Sequence, residues 1–128
     1  MGMFTARLKV WNPAEPSRAD ELELWVDTGA AYSWFSRERL ERLGIGPTDR
    51  RQFRTIEGRV IERDMASVFV AADGRTGGDN VVLAEPGDGD MEVIGAFTLE
   101  SLGLAADVIH KKLVPIQVGL ALTAAPSV

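Results

Sequence analysis

The sequence predicts a mainly β domain with two short helices, on three observations. Apolar and polar residues alternate with period two through most of the chain, turn-forming residues interrupt the alternation at short intervals, and only two stretches have helical spacing. Phe4, Ala6, Leu8 and Val10 alternate with Thr5, Arg7 and Lys9, the pattern of a half-buried strand. Asn12-Pro13-Ala14-Glu15-Pro16 then reads as a long loop, because proline cannot donate to a sheet ladder and asparagine favours turns. Glu21, Glu23 and Trp25 alternate with Leu22, Leu24 and Val26 in a second strand that runs into Asp27 and forms a hairpin with the first. Tyr32 to Phe35 is a third, short strand. Ser36 is placed to cap a short helix from Arg37 to Leu43 that Gly44 ends, with Arg39 where a capping-box acid would stand.

In the second half, Phe53 and Thr55 on one side and Val60 and Glu62 on the other flank Glu57-Gly58, where glycine can supply the positive backbone angle of a tight turn. A projecting, mobile hairpin is expected there. Ser67 to Ala71 continues as a strand, Asp73-Gly74 through Gly77-Gly78 reads as a turn, and Asn80 to Ala84 is the next strand. Met91, Val93 and Ile94 lead into Gly95, after which Phe97, Leu99, Leu102 and Leu104 suit a short amphipathic helix ending at Gly103. A last strand from Leu113 to Val118 carries Pro115, which belongs at an edge or bulge. Residues 1–120 are expected to form one domain and 121–128 a flexible tail.

Composition excludes several functions. A chain of 128 residues, 45% apolar and 26% charged, is long enough to bury a real core. With no cysteine it has no disulfide, thiol nucleophile or thiolate metal site. No apolar run approaches the roughly 20 residues that cross a bilayer, so no membrane partner is expected. Residues 1–10 carry Arg7 and Lys9 within their alternation and lack a signal-peptide core, so a cytoplasmic protein is expected. A net charge of −5, with basic residues scattered among acids, argues against nucleic acid. Asp88, Asp90 and Glu92 lack the spacing of a calcium loop and read as solvated; no metal site is expected.

The most informative residues are Asp27-Thr28-Gly29-Ala30, which place one carboxylate at a tight turn directly after a strand. Together with the hairpin tipped by Gly58 and with Val93-Ile94-Gly95 leading into the helix at Phe97 to Leu102, this order resembles the single-domain retropepsin-like aspartic proteases of clan AA, most closely their bacterial, non-viral members. The likeness spans roughly residues 4 to 117. It implies a retropepsin-like acid protease barrel and a homodimer, since one Asp-Thr-Gly cannot supply two aspartates. It further implies an aspartic endopeptidase that acts on a peptide or protein substrate with no cofactor or metal. Asp27 would be the catalytic residue, forming a dyad with Asp27′ of a second chain and activating a water. Thr28, Gly29 and Ala30 would support the active-site loop. Ile56, Glu57, Gly58 and Val60 would form a substrate-binding flap, and Ile94 and Gly95 would brace the catalytic loop. Two departures stand out: Ala31 occupies the place of an acid in the viral enzymes, and Ala96-Phe97 the place of a base, so their intersubunit ion-pair network is absent.

Each feature also has a plainer reading. Asp-Thr-Gly is good turn chemistry in itself, Glu57-Gly58 suits an ordinary hairpin, and His110 beside Lys111-Lys112 reads as a solvated turn. Trp11, Trp25 and Trp34 read as packing residues, with a groove lining as the alternative. The competing function is a catalytically silent protease-fold module that binds an extended peptide or mediates dimerisation.

Overall fold

The structure, a computed structural model, describes residues 3–116. Its elements in chain order are β1 (Thr5–Asn12), β2 (Glu15–Val26), β3 (Trp34–Ser36), α1 (Arg37–Arg42), β4 (Asp49–Arg54), β5 (Val60–Ala72), β6 (Arg75–Ala84), a 3₁₀ turn (Pro86–Asp88), β7 (Val93–Ile94), α2 (Ala96–Ser101), β8 (Leu104–Asp107) and β9 (Lys112–Pro115). The expected mainly β architecture with two short helices is therefore present. The end of the expected last strand, at Val118, and the tail from Ala121 to Val128 lie outside the described residues.

Seven strands form one sheet in the order β1-β2-β7-β3-β6-β5-β4, and β8 pairs with β9 in a separate ribbon. The large sheet curls until its ends meet, because β1 also pairs with β5, Lys9–Trp11 facing Phe69–Ala71. Curling turns one face of every strand inward, which is why the period-two alternation is so regular. Leu8, Val10, Leu22, Leu24, Val26, Val68, Val70, Val81 and Leu83 fill the interior with Phe35 and Ile94, and Leu40 and Leu99 close it from the two helices.

β5 positions the β4–β5 hairpin. One of its edges runs along β6 only as far as the Met65–Val82 pair, while the other takes β4 at residues 60–65 and β1 at 69–71. Residues 60–64 thus have only β4 beside them, and β4 and β5 leave the sheet as a two-stranded ribbon. Gly58 at its tip has φ +90°, the conformation expected of this glycine.

Four boundaries differ from the sequence expectation, each for a local reason. The loop after β1 is tight: β2 begins at Glu15, and a bulge between Trp11 and Asn12 absorbs the offset. Asn12 builds that turn, its Oδ1 accepting Ala14 N–H at 2.8 Å while its Nδ2 donates to Leu43 O at 2.9 Å. Gly77 and Gly78 belong to β6 and the turn is Asp73-Gly74 alone. They are small because a Cβ on Gly77 would lie 2.9 Å from Ser101 O and one on Gly78 would lie 3.1 Å from the Phe69 ring. The third strand starts at Trp34, two residues late, and Leu104 opens strand β8 after Gly103, with φ +66°, has ended the helix.

The acidic loop is also not simply solvated. Asp90 receives both Nε and Nη2 of Arg63 at 2.6 and 3.0 Å, and Glu92 receives Arg39 at 3.0 Å through two nitrogens. Arg37 joins Glu85 at 2.7 Å to Asp64 of β5 at 2.6 Å. Arg39, the residue out of place in a capping box, is a bridge from α1 to this loop. Ser36 does cap α1, accepting Arg39 N–H at 3.2 Å. His110 is exposed as expected, with Nδ1 2.8 Å from Asp107 Oδ2.

Candidate active site

Asp27 is the first residue after β2, and its position is fixed from both sides. Val26 N–H donates to Phe4 O at 2.8 Å and Asp27 N–H to Ile94 O at 2.9 Å, extending the parallel β2–β7 pairing in which Trp25 faces Val93 and Val26 faces Ile94. The chain then turns: Ala30 N–H returns to Asp27 O at 3.1 Å, and Gly29 N–H donates to the carboxylate Oδ1 at 3.0 Å. Among the described residues the other oxygen, Oδ2, has no hydrogen-bond partner. Asp27 is half-buried, while Thr28 and Gly29 are exposed.

Ile94 and Gly95 lie directly against this turn. Past Gly95, Ala96 N–H donates to Ala30 O at 2.8 Å and Phe97 N–H to Ala31 O at 2.9 Å, so the start of α2 is stitched to the outgoing arm of the turn. Gly95 has φ −98°, which any residue can adopt, but a Cβ there would sit 2.4 Å from Tyr32 O and 2.8 Å from Ala30 O. Close backbone approach, not backbone freedom, is what requires glycine. Beside this junction, the rings of Tyr32 and Phe97 meet edge to face at 5.1 Å. Phe53 of β4 extends this row, 5.9 Å from Tyr32 and 5.4 Å from Trp34.

The carboxylate stands between two hollows of about 450 Å³ each. One is lined by Met3, Trp34, Thr55, Ile61, Asp90, Met91 and Val93, the other by Met3, Phe4, Val26, Thr28, Gly29, Ala106 and Val108. The β4–β5 hairpin thus reaches the first hollow through Thr55 and Ile61, while Ile56, Glu57, Gly58 and Val60 form its exposed tip. The Glu57 carboxyl is held below its usual range by its own N–H and by the Thr55 hydroxyl. Trp34 lines the hollow, Trp11 packs on Phe69 at 5.8 Å, and Trp25 is exposed. A larger hollow of about 580 Å³, bordered by Pro13, Tyr32, Phe69, Asp79 and Phe97, does not include Asp27.

Sequence reading missed Met3, Thr55, Ile61 and Met91 as lining residues, although strand alternation puts Ile61 opposite Phe53 and could have singled it out. It also missed Ser33 and Thr98, buried hydroxyls 65 positions apart that no local pattern connects.

Asp90 is the one other carboxylate that lines the Asp27 hollow, and its chemistry is different. Burial pushes its carboxyl up, but Arg63 and the Glu85 N–H pull it down further, so it stays ionised and occupied. It is a poor proton donor. Among the described residues, Asp27 is therefore the carboxylate at this site that no cation engages.

No curated protein and no solved structure matches the chain. The family model described as aspartyl protease matches residues 19–96, from the second strand through the Asp27-Thr28-Gly29 turn and the hairpin to the start of α2. With its curled, mainly β sheet, the chain belongs to this aspartyl protease family of the retropepsin-like clan.

Proposed function

We propose that this chain is an aspartic endopeptidase that works as a homodimer, with Asp27 of each copy forming the catalytic dyad. The observation that carries this reading is the Asp27 carboxylate itself: anchored through Oδ1 and the backbone, unpartnered at Oδ2 among the described residues, and set between two open hollows beneath a projecting hairpin. Peptide hydrolysis needs a base to activate water and an acid to protonate the scissile carbonyl oxygen and then the leaving amine. Two carboxylates in hydrogen-bond contact meet both needs, because they cannot both ionise comfortably and share one proton. Asp90 is locked to Arg63, so the second carboxylate comes from a second copy of Asp27. In the dyad the ionised member takes a proton from the water as it attacks, and the protonated member gives its proton to the carbonyl oxygen. The hairpin tip, with Ile56 fully exposed, closes over an extended peptide and excludes bulk water. Thr28 holds the two loops in register across the two-fold axis.

The test is mass-spectrometric cleavage of a diverse peptide pool between about pH 4 and 7, the range open to a shared-proton pair. Wild type should cut, and Asp27→Asn should lose about a hundredfold or more of the rate while keeping its fold. Mixing equal amounts of the two chains should leave about a quarter of the dimers with two carboxylates, and activity should fall accordingly. Equal cutting by Asp27→Asn overturns the dyad. A folded wild-type dimer that cuts nothing supports the silent peptide-binding module instead.

A further inference from the structure

A line of buried hydroxyls leads away from the catalytic loop. Gly95 N–H donates to Ser33 Oγ at 2.9 Å, the Ser33 and Thr98 hydroxyls are hydrogen-bonded to each other, and Thr98 Oγ1 donates to Asp79 Oδ2 at 2.5 Å. Both hydroxyl-bearing residues are wholly buried. Their order is fixed by what each end can do. The Gly95 amide can only donate, and Thr98 Oγ1 already donates to Asp79 Oδ2, so the Ser33 hydroxyl donates to Thr98 Oγ1. Every hydroxyl then donates once and accepts once, and the polarisation runs in one direction.

The line begins one residue past the backbone group that anchors Asp27. Gly95 follows Ile94, whose carbonyl accepts the Asp27 N–H, and Ser33 closes the same loop whose Ala30 and Ala31 carbonyls take the first amides of α2. Without a terminal acceptor, the Thr98 hydroxyl proton would be buried with nowhere to go, and the junction of loop, β7 and α2 would have to rearrange.

We propose that Asp79 is a positioning residue for Asp27, the terminal acceptor of a one-directional chain that holds the catalytic loop against β7 and α2. Its rate consequence rests on the protease reading above; its structural consequence does not. What the chain uses is an acceptor oxygen. Burial itself disfavours the Asp79 charge, with the Thr98 hydroxyl and the Asn80 N–H opposing, so an amide side chain offers the same oxygen without a buried charge.

The experiment compares Asp79→Leu, Asp79→Asn and Thr98→Val with wild type by kcat and KM on a cleaved peptide, and by hydrogen exchange at the Gly95 and Asp27 amides in the full chain. Thr98→Val keeps the shape of the side chain and serves where Asp79→Leu does not fold. Asp79→Leu and Thr98→Val should lose about tenfold or more in kcat with KM within about twofold, as expected of a displaced catalytic group, and the Gly95 amide should exchange faster. Asp79→Asn should restore both. Wild-type kcat and Gly95 protection in Thr98→Val overturn the proposal, and so does an Asp79→Asn variant as impaired as Asp79→Leu. If wild type cuts no peptide, it is the protease reading that fails, and amide exchange alone decides the role of Asp79.

Discussion

Adding one methyl group at Gly95 and the same group at Gly29 should separate scaffold from chemistry. At Gly95 the new Cβ would lie 2.4 Å from Tyr32 O, 2.5 Å from Tyr32 C and 2.8 Å from Ala30 O. All three are backbone atoms, so no rotamer change can relieve the clash, and the segment must move apart from β7. Overpacking of this kind costs about 3 kcal/mol, at the upper end of its range because only backbone can yield. Loss of unfolded-state entropy on Gly→Ala returns about 0.4–1 kcal/mol. The net is about 2 kcal/mol, which lowers the melting midpoint of a domain of this size by roughly 6–10 °C. At Gly29 the nearest atom is Asp27 Oδ1 at 3.1 Å, the end of a side chain that can swing. There the entropy gain roughly offsets the contact, and stability should stay within about 1 kcal/mol of wild type. The displaced carboxylate, however, is the catalytic group of the proposed reaction, so cleavage should fall by about tenfold or more. Differential scanning calorimetry and peptide cleavage read the two effects separately. A Gly95→Ala protein that melts within about 2 °C of wild type, or a Gly29→Ala protein that loses as much stability as Gly95→Ala, would refute this account of the loop.

Arg63→Met should cost about 1–3 kcal/mol in chemical denaturation, because it leaves Asp90, with a side chain 9% exposed, without its bidentate partner. In the folded state the Asp90 and Glu92 carboxyls titrate below their ordinary values, so the stability they contribute is present above about pH 4 and drains as pH falls through the folded values. Urea midpoints measured from pH 6 downward should show that loss, and Asp90→Asn should flatten it. Asp79 has the opposite sign: burial raises its folded value, so its contribution is complete below the unfolded value and lost as pH rises through the folded one. Asp79→Asn should therefore gain stability relative to wild type as pH rises, which the same titration would reveal. Ile56→Ala removes a side chain that touches nothing in the free chain, so the melting temperature should not change while KM rises several-fold if the hairpin tip covers substrate; a raised KM accompanied by a lower melting temperature would point to a structural role instead.

Much of this architecture is written in short-range patterns. The alternation of Leu22, Leu24 and Val26 fixes which face of β2 is inward and so delivers Asp27 to the end of a strand. Gly58 in its positive-φ turn, and Ser36 at the start of α1, are equally local, since each acts on the backbone within three residues. Asn12-Pro13 does make a turn, but a tight one, with Asn12 Oδ1 accepting Ala14 N–H while Asn12 Nδ2 reaches Leu43 O, 31 positions away. Gly77 and Gly78 look like a turn locally but are strand residues paired with Val70 and Phe69 of β5, and they are small because Ser101 and Phe69 leave little room for a Cβ.

The sequence by itself therefore determines most of the strands, the two helices, the carboxylate at a strand-ending turn and the hairpin that projects near it, because period, capping and turn chemistry act over a few residues. Tertiary structure alone decides the rest. It closes the sheet through β1 and β5, ties the acidic loop to Arg37, Arg39 and Arg63, and brings Ser33, Thr98 and Asp79 into one hydrogen-bonded line behind Gly95. These contacts join residues tens of positions apart, and hydrogen bonds and ion pairs depend on distance in space, which a linear pattern does not carry.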